Sequence, residues 1–294
     1  MMLASPTVVQ PFSYPLGPLE ITGFGLAMFL SFVVAQHVAQ VETARRGYDP
    51  VPVGDLIFAA VIGGLLGAKL YYVVLTGDIH TLFERAGFVF WGGLIGGTIA
   101  VLAMAKWKGM SIPRVADVGG PAVMAAYAVG RTGCWAVGDD YGRPWDGFLS
   151  VAFPNGAPPS TVGIMSRLFH VKFPATMAPD MVVGVHPTQL YEVTMATLLF
   201  IVLWRLRDHR HAEGWLFGVY CVFAGIERFI VEFFRAKDDR FFGAITTAQI
   251  LAIAFVIMGA IIMARRWTPR AGAPGIYAPG VGTPSDARPA AARG

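Results

Sequence analysis

The chain has 294 residues, of which 55% are hydrophobic and only 14% charged, and its mean hydropathy is +0.55. A soluble domain averages about 25% charged residues, so the composition excludes an ordinary soluble globular protein and indicates an integral membrane protein. The two cysteines, Cys134 and Cys221, form neither a disulfide framework nor a metal-ligand spacing, and we expect no metal and no cofactor.

Seven apolar runs follow one another along the chain, and each is long enough for a membrane-spanning helix of about 20 residues. The runs lie near residues 22–40, 54–76, 88–106, 114–134, 188–206, 214–234 and 246–265. The predicted fold is therefore an all-α integral membrane protein with seven transmembrane helices, and its two termini lie on opposite sides of the membrane.

The formal net charge of +4 is informative only once the basic residues are assigned to sides. The connections after spans one, three, five and seven carry arginine and lysine clusters, whereas residues 1–20 carry none. The positive-inside rule places these clusters in the cytoplasm, so we expect the N-terminus outside and the C-terminus inside. Residues 1–20 also lack the basic region of a cleavable signal peptide.

The pattern divides the chain into five segments. We expect an external N-terminal segment, transmembrane helices 1–4, a small external (periplasmic-side) head, transmembrane helices 5–7 and a disordered cytoplasmic tail, at residues 1–21, 22–138, 139–187, 188–267 and 268–294 respectively. The head is too long for a plain connector, and its short apolar run and Asn155-Gly156 predict one or two hairpins. A substrate lid and a mere insertion are equally compatible with it.

Two apolar runs contain small residues at a spacing of four. In the second run this spacing joins Gly63 to Gly67. In the third run it occurs twice, from Gly92 to Gly96 and from Gly93 to Gly97. This spacing is typical of tight helix–helix contact in lipid. The alternative interpretation is that the flat glycine face leaves room for a lipid head group.

Charged residues interrupt two of the later runs. Arg131 stands within the motif at residues 130–142, and an arginine at membrane depth costs about 2.5–3.5 kcal/mol on insertion scales. Arg228, Glu232 and Arg235 follow i, i+4, i+7 spacing, which predicts one shared helix face. Three arginines and one glutamate leave an excess of positive charge, which suits a phosphate.

His186 begins the motif that ends at Glu192. Pro187 and Glu192 are typical of a helix start, where Glu192 complements the positive end of the helix dipole. A histidine is also a candidate base at neutral pH. The residues alone favour neither interpretation of His186.

Taken together, four motifs resemble those of the prolipoprotein diacylglyceryl transferase family. They stand in the family's order and are spread over most of the chain, at residues 92–97, 130–142, 186–192 and 228–235. The resemblance implies seven helices with an external head between helices four and five. It also implies a bacterial cytoplasmic (inner) membrane protein that binds no nucleic acid.

The resemblance further implies a reaction. An enzyme of this family transfers the diacylglyceryl group of phosphatidylglycerol to the lipobox cysteine of a prolipoprotein and releases glycerol 1-phosphate. The partners are then phosphatidylglycerol, lipobox-containing prolipoproteins and the bilayer. The alternatives are a catalytically altered paralogue that binds anionic lipid and a small-anion transporter.

The family's functional residues carry over position by position. The resemblance implies catalytic roles for Arg131, Arg228, Glu232 and Asp139, and substrate-binding roles for Gly92, Gly93, Gly142, Arg235, His186, Asp140 and Tyr141. The chain departs from some members at Phe24, Trp91 and Cys134, where they carry tyrosine, histidine and asparagine. The first two departures leave the general base open. We expect Cys134 to pack beside Arg131 as a small apolar residue and not to act as a nucleophile.

Overall fold

A computed structural model describes residues 6–17, 19–83, 87–236, 240–242 and 245–267. The tail that we predict to be disordered, residues 268–294, lies outside this range. The chain divides into two compact units. The first unit comprises Met1–Val34, Gly120–Arg207 and Gly218–Arg265, and the second comprises Ala35–Gly119, Asp208–Phe217 and Arg266–Gly294.

Eight α-helices occur in the described part of the chain. They are α1 (Gly23–Arg45), α2 (Val51–Thr76), α3 (Phe90–Trp107), α4 (Ile112–Val137), α5 (Val162–Phe169), α6 (Thr188–Leu206), α7 (Trp215–Glu232) and α8 (Thr247–Arg265), with a short 3-10 helix at Ile79–Phe83. Seven of them coincide with the seven predicted apolar runs, and the short α5 was not predicted. The all-α membrane class is thereby confirmed.

Five helices, α1, α2, α3, α6 and α8, are long and apolar enough to cross a membrane by length and composition. The two other long helices carry three charged residues each: α4 contains Arg114, Asp117 and Arg131, and α7 contains Glu227, Arg228 and Glu232. The two helices that interrupt the apolar pattern are therefore the ones that carry the predicted catalytic residues Arg131, Arg228 and Glu232.

The strands are short and form three two-stranded sheets. β1 (Thr7–Val8) pairs in parallel with β4 (Val151–Ala152), while β2 (Ser13–Leu16) pairs with β3 (Leu19–Thr22) and β5 (Arg240–Phe242) with β6 (Ile245–Thr246), both antiparallel. Residues 139–187 thus contain the strand β4, which pairs with β1, and helix α5. Isolated antiparallel bridges also occur within the segment, at Pro144–Val185, Val151–Val185 and Thr161–Val182. The predicted hairpins are wrong, because these bridges join residues that are distant in sequence and no turn connects two paired strands within residues 139–187.

A hydrophobic core holds the segment 139–187 together within the first unit. Its buried members come from the whole length of this segment and from the turn after α7, and they are Tyr141, Val151, Phe153, Val162, Met165, Val183, Val185 and Ala236. Tyr141 stacks on Phe153 with ring centroids 5.6 Å apart, and its hydroxyl donates to the Pro159 carbonyl at 3.0 Å. This core fixes the backbone on which Asp139 and Asp140 stand.

Within the second unit, α2 and α3 pack through their glycines. A Cβ added at Gly67 would approach the Gly96 Cα to 2.9 Å, and one at Gly96 would approach the Gly67 Cα to 2.8 Å. Real Cβ atoms do not reach such distances, so the two backbones are in direct contact. The packing interpretation of the glycine stripes is confirmed.

Candidate active site

Arg131 stands near the C-terminal end of α4, and its side chain is 10% exposed. Its Nη1 atom donates to Asp140 Oδ2 at 2.9 Å and to Cys134 Sγ at 3.2 Å, and its Nε atom forms an ion pair with Glu192. Its Nη2 atom is buried and has no hydrogen-bond partner in the described part of the chain. Buried N–H groups are nearly always paired, so this nitrogen is a donor available to a ligand.

Arg235 lies beyond the end of α7, so the predicted helical face is wrong at its last member. A turn after Glu232 redirects the chain, and Arg235 forms an antiparallel bridge with Gly142. Arg143 fixes this course, because its backbone N–H donates to the Phe234 carbonyl at 2.8 Å and its Nε to the Arg235 carbonyl at 3.0 Å. The Arg235 side chain is 12% exposed and reaches Asp140.

Two carboxylates bridge Arg131 and Arg235. Asp140 accepts from Arg235 Nη2 at 2.6 Å through the oxygen that Arg131 does not use. Glu192 pairs with Arg131 through Oε2, and its Oε1 lies 3.9 Å from Arg235 Nη1. Sequence reasoning missed this role of Glu192. Its position near the start of α6 has a sufficient local explanation, and only the tertiary fold brings α6 to the arginines.

Arg228 and Glu232 form the second part of the site on α7. Arg228 Nη2 lies 2.7 Å from Glu232 Oε2, and the Arg228 side chain is 32% exposed whereas that of Glu232 is 1% exposed. The same Glu232 oxygen lies 3.9 Å from Arg235 Nε. Ion pairs thus run continuously from Arg131 to Arg228 by way of Arg235. We call these three arginines, together with Asp140, Glu192 and Glu232, the arginine cluster.

The charge of the arginine cluster corrects the expected excess of cations. Three guanidinium groups are matched by three carboxylates, because Asp140 and Glu192 join the predicted Glu232. Removing one partner of a buried ion pair is strongly destabilising, by about 3–5 kcal/mol, whereas an intact pair is close to neutral. An anionic ligand therefore meets a charge-compensated site and competes with the carboxylates that already pair with the arginines.

Asp139 follows the end of α4 and is not part of the ion pairs. Its side chain lies within 4.8 Å of the Cys134 thiol, and its Oδ1 atom is buried and has no hydrogen-bond partner among the residues described. Burial, and then the neighbouring Asp140 carboxylate, raise the pKa of Asp139. A carboxylate with a raised pKa is a better proton acceptor than an ordinary surface aspartate.

Asp140 shows the opposite behaviour. Burial alone would raise its pKa, but the guanidinium groups of Arg235 and Arg131 outweigh it and hold the pKa of Asp140 well below its usual range. The donor atoms of Cys134, Asp139 and Asp140 lie within 4.8 Å of one another, as in a metal site. The arginines already supply the positive charge there.

A cavity of about 180 Å³ opens beside these groups in the first unit. Its walls are formed by Asp139, Asp140, Tyr141, Ala157, Pro158, Phe169 and Arg235. The cavity is therefore lined by Asp139, whose pKa is raised, by Asp140, whose pKa is lowered, and by Arg235 of the arginine cluster.

Gly142 and His186 position the backbone around the cavity. A Cβ added at Gly142 would lie 2.5 Å from the Phe234 carbonyl and 2.6 Å from the His186 Cβ, so the site requires glycine there. The His186 ring stacks on Trp145 with centroids 4.4 Å apart, and its Nδ1 lies 3.1 Å from the Tyr191 hydroxyl. Burial lowers the pKa of His186, which favours the neutral ring.

Cys134 lies beside Arg131, as predicted, and is 7% exposed. Its surroundings are more polar than expected, because the thiol accepts from the Arg131 guanidinium and lies within 4.8 Å of the Asp139 carboxylate. Gly92 and Gly93 lie in the second unit, on the α3 surface that faces α2. Their predicted contact with substrate stays a prediction.

The model of one protein family, prolipoprotein diacylglyceryl transferase, matches residues 11–265. The chain belongs to the prolipoprotein diacylglyceryl transferase family. The resemblance read from the four motifs is thereby confirmed, and this family membership favours an enzyme over a small-anion transporter. All six residues of the arginine cluster lie within the matched range.

Three relatives illustrate the similarity to this transferase family, and each is named phosphatidylglycerol--prolipoprotein diacylglyceryl transferase. The Clostridium tetani protein is 28% identical over 263 residues, which cover 86% of this chain and 96% of the relative. The Geobacter sulfurreducens protein is 29% identical, covering 88% and 96%, and the Mannheimia succiniciproducens protein is 31% identical, covering 89% and 94%. The similarity thus spans both units.

Proposed function

We propose that the chain transfers the diacylglyceryl group of phosphatidylglycerol to the lipobox cysteine thiol of prolipoproteins and releases glycerol 1-phosphate. Family membership and the names of the relatives support the reaction type. The observation that carries the site assignment is the convergence of Arg131 and Arg235 on one carboxylate at a cavity, where the buried Arg131 Nη2 has no hydrogen-bond partner among the described residues. Such a pair of guanidinium groups suits a phosphate.

The bond changes follow from the two substrates. The thiol sulfur attacks the glyceryl carbon that carries the phosphate oxygen, so a C–S bond forms as the C–O bond breaks. The bonding electrons leave with glycerol 1-phosphate, and the thiol proton passes to a base. Negative charge grows on the departing phosphate, and arginines near its oxygens lower the barrier because they are already in place.

Asp139 is the base that the geometry supports best. Its Oδ1 has no hydrogen-bond partner in the part of the chain that the structure describes, the residue lines the cavity, and burial raises its pKa. Asp140, Glu192 and Glu232 are less suitable because arginines hold their carboxylates in ion pairs. His186 is less suitable as well, because its Nδ1 already meets the Tyr191 hydroxyl.

The membrane topology belongs to the same proposal. Seven helices span the inner membrane of a bacterium, with the N-terminus outside, the head at residues 139–187 on the periplasmic side and the C-terminus in the cytoplasm. The distribution of basic residues supports this orientation. A cysteine introduced at Asn155, which is exposed, should react with an impermeant reagent from outside and one at Asp208 should not; the reverse pattern would invert the topology.

Complementation tests the proposed function directly. A bacterial strain depleted of its own transferase should grow when it expresses this chain, because an active enzyme restores lipoprotein lipidation. The Asp146→Asn variant is the matched control, since Asp146 is exposed in the same segment and outside the arginine cluster. Failure of the wild-type chain to restore growth, although it is present in the membrane, would favour an altered or inactive member of the family.

A further inference from the structure

Asp140 occupies the place that an anionic ligand of Arg131 and Arg235 would take. Each of its oxygens accepts from a different guanidinium group, at 2.9 Å from Arg131 and 2.6 Å from Arg235. Two arginine donors that converge on two oxygens of one anion form the arrangement with which proteins hold phosphate. The carboxylate thus fills an anion site with a group of the protein itself.

The two bridging carboxylates differ in their access to solvent. The Glu192 side chain is 1% exposed and the Asp140 side chain is 40% exposed, although both contact the same two arginines. Asp140 also lines the cavity, whereas Glu192 does not. A buried carboxylate such as Glu192 cannot move away from the arginines without leaving its own charge buried and unpaired. A carboxylate at a cavity wall, such as Asp140, can move its charge into water.

The backbone of Asp140 is fixed, so only its side chain is free to move. Its carbonyl accepts from Thr188 Oγ1 at 2.7 Å, and the adjacent Asp139 carbonyl accepts from Gln189 Nε2 at 2.6 Å. The φ angle of Asp140 is 56°, in the left-handed region where aspartate, asparagine and glycine are the tolerated residues. A rotation of the side chain alone would free the arginines without a movement of the fold.

We propose that the Asp140 carboxylate is an internal stand-in for the substrate phosphate, and that a glycerophosphate group binds by displacing it from Arg131 and Arg235. The inference rests on the proposed function and deepens it, because it assigns the phosphate site to this pair. Two phosphate oxygens take the positions of the two Asp140 oxygens, and the unpaired Arg131 Nη2 offers a further donor.

Competition with Asp140 lowers the affinity of the site for phosphate. A site that is open about one-tenth of the time binds its ligand about tenfold more weakly than an open one. Asp140 keeps the arginines paired while the cavity is empty, so the buried charges are never left without a partner. Removal of this carboxylate should therefore tighten phosphate binding even though it removes a partner of both arginines.

The test measures binding of sn-glycerol 1-phosphate to the purified full chain by calorimetry, in detergent without phosphatidylglycerol. Asp140→Asn and Asp140→Gly both suit the left-handed backbone, and each should bind the probe about tenfold more tightly than the wild type. Asp146→Asn should bind it like the wild type, and Arg235→Ala more weakly. Glu192→Gln removes the same charge from the buried carboxylate and should not increase the affinity for the probe.

Each other outcome contradicts a defined part of the account. Folded Asp140 variants that bind the probe no more tightly than the wild type would overturn the displacement, as would failure of both variants to fold. An equal gain in affinity in Glu192→Gln would mean that only the overall charge of the site matters.

The same Asp140 variants, assayed for transfer in phosphatidylglycerol nanodiscs, should show a lowered KM for the lipid. Tighter binding of sn-glycerol 1-phosphate with an unchanged KM for the lipid would mean that the site binds a free phosphate ester and no lipid head group. A wild-type chain that neither transfers lipid nor binds the probe would refute the proposed function itself.

Discussion

The arginine cluster of the first unit and the α2–α3 contact of the second unit bring helices together in opposite ways. In the cluster, long charged side chains from α4, α6 and the end of α7 meet, and each charge has a partner. In the α2–α3 contact, side chains are absent and the backbones of Gly67 and Gly96 touch. Both regions come from segments with conspicuous sequence motifs.

The difference separates a functional motif from a packing motif. Glycine contact is a sufficient reason for the α2 and α3 motifs, because small residues allow helices to approach in lipid. Buried arginines have no such explanation, since replacing a buried ion pair by apolar residues is often neutral or stabilising. We therefore assign the chemistry to the arginine cluster and the packing to the glycines.

The largest effect should come from Arg131. Arg131→Ala removes a donor to the departing phosphate and strands Glu192, and we expect transfer activity to fall by about 100- to 1,000-fold, as on loss of one oxyanion donor. Arg131→Lys should be nearly as inactive, because a point charge cannot bridge two carboxylates in the same plane. The measurement is transfer of labelled diacylglyceryl to a lipobox peptide, and near wild-type rates in Arg131→Ala would contradict the assignment.

Asp139→Asn should reduce the rate by about 100-fold, the lower range for loss of a general base. A base acts in its deprotonated form, so activity falls as the pH drops through its pKa. Because burial and Asp140 raise this pKa, the fall should begin at a higher pH than for an ordinary aspartate. Asp140→Asn should move this loss of activity to lower pH, because it removes the neighbouring carboxylate that raises the pKa of Asp139. A pH–rate profile without this acid limb in the wild type would exclude Asp139 as the base.

Gly92 and Gly93 sharpen the packing half of the comparison. A Cβ at Gly92 would clash with the backbone of Gly67, whereas one at Gly93 would lie 3.4 Å from the Gly64 carbonyl. Gly92→Ala should lower the unfolding free energy by about 1–3 kcal/mol, as overpacking does, and Gly93→Ala should change it little. Thermal unfolding in detergent measures both. Equal stability of the two variants, with a raised KM for lipid in either one, would instead support the predicted substrate contact.

The smallest effect should come from Cys134. Cys134→Ala removes a thiol, which is only a weak acceptor for Arg131, and leaves the ion pairs intact, so transfer should stay within about threefold of the wild type. The acceptor thiol comes from the prolipoprotein, and direct transfer requires no enzyme thiol. Loss of activity in Cys134→Ala, together with lipid trapped on Cys134 in the wild type, would overturn direct transfer.

The sequence predicted the long helices well because apolar runs are local signals. It misplaced Arg235 on a helical face. The turn after Glu232 is held by Arg143, whose backbone N–H and side-chain Nε both donate to carbonyls of the turn, and Arg143 is distant in sequence. It also overestimated the positive charge of the site. The roles of Glu192 and Asp140 as counter-ions depend on contacts between α6, α4 and the end of α7, and no local pattern reveals such contacts.

The paired measurement of products tests the central claim most directly. The purified chain in phosphatidylglycerol nanodiscs is incubated with a lipobox peptide, and thioether-linked peptide and released glycerol 1-phosphate are quantified together. We expect one glycerol 1-phosphate for each lipidated peptide in the wild type. In Arg235→Ala with unchanged thermal stability we expect a loss of about 100-fold or more in both products. Wild-type rates in a folded Arg235→Ala variant would contradict the claim that the arginine cluster drives departure of the phosphate.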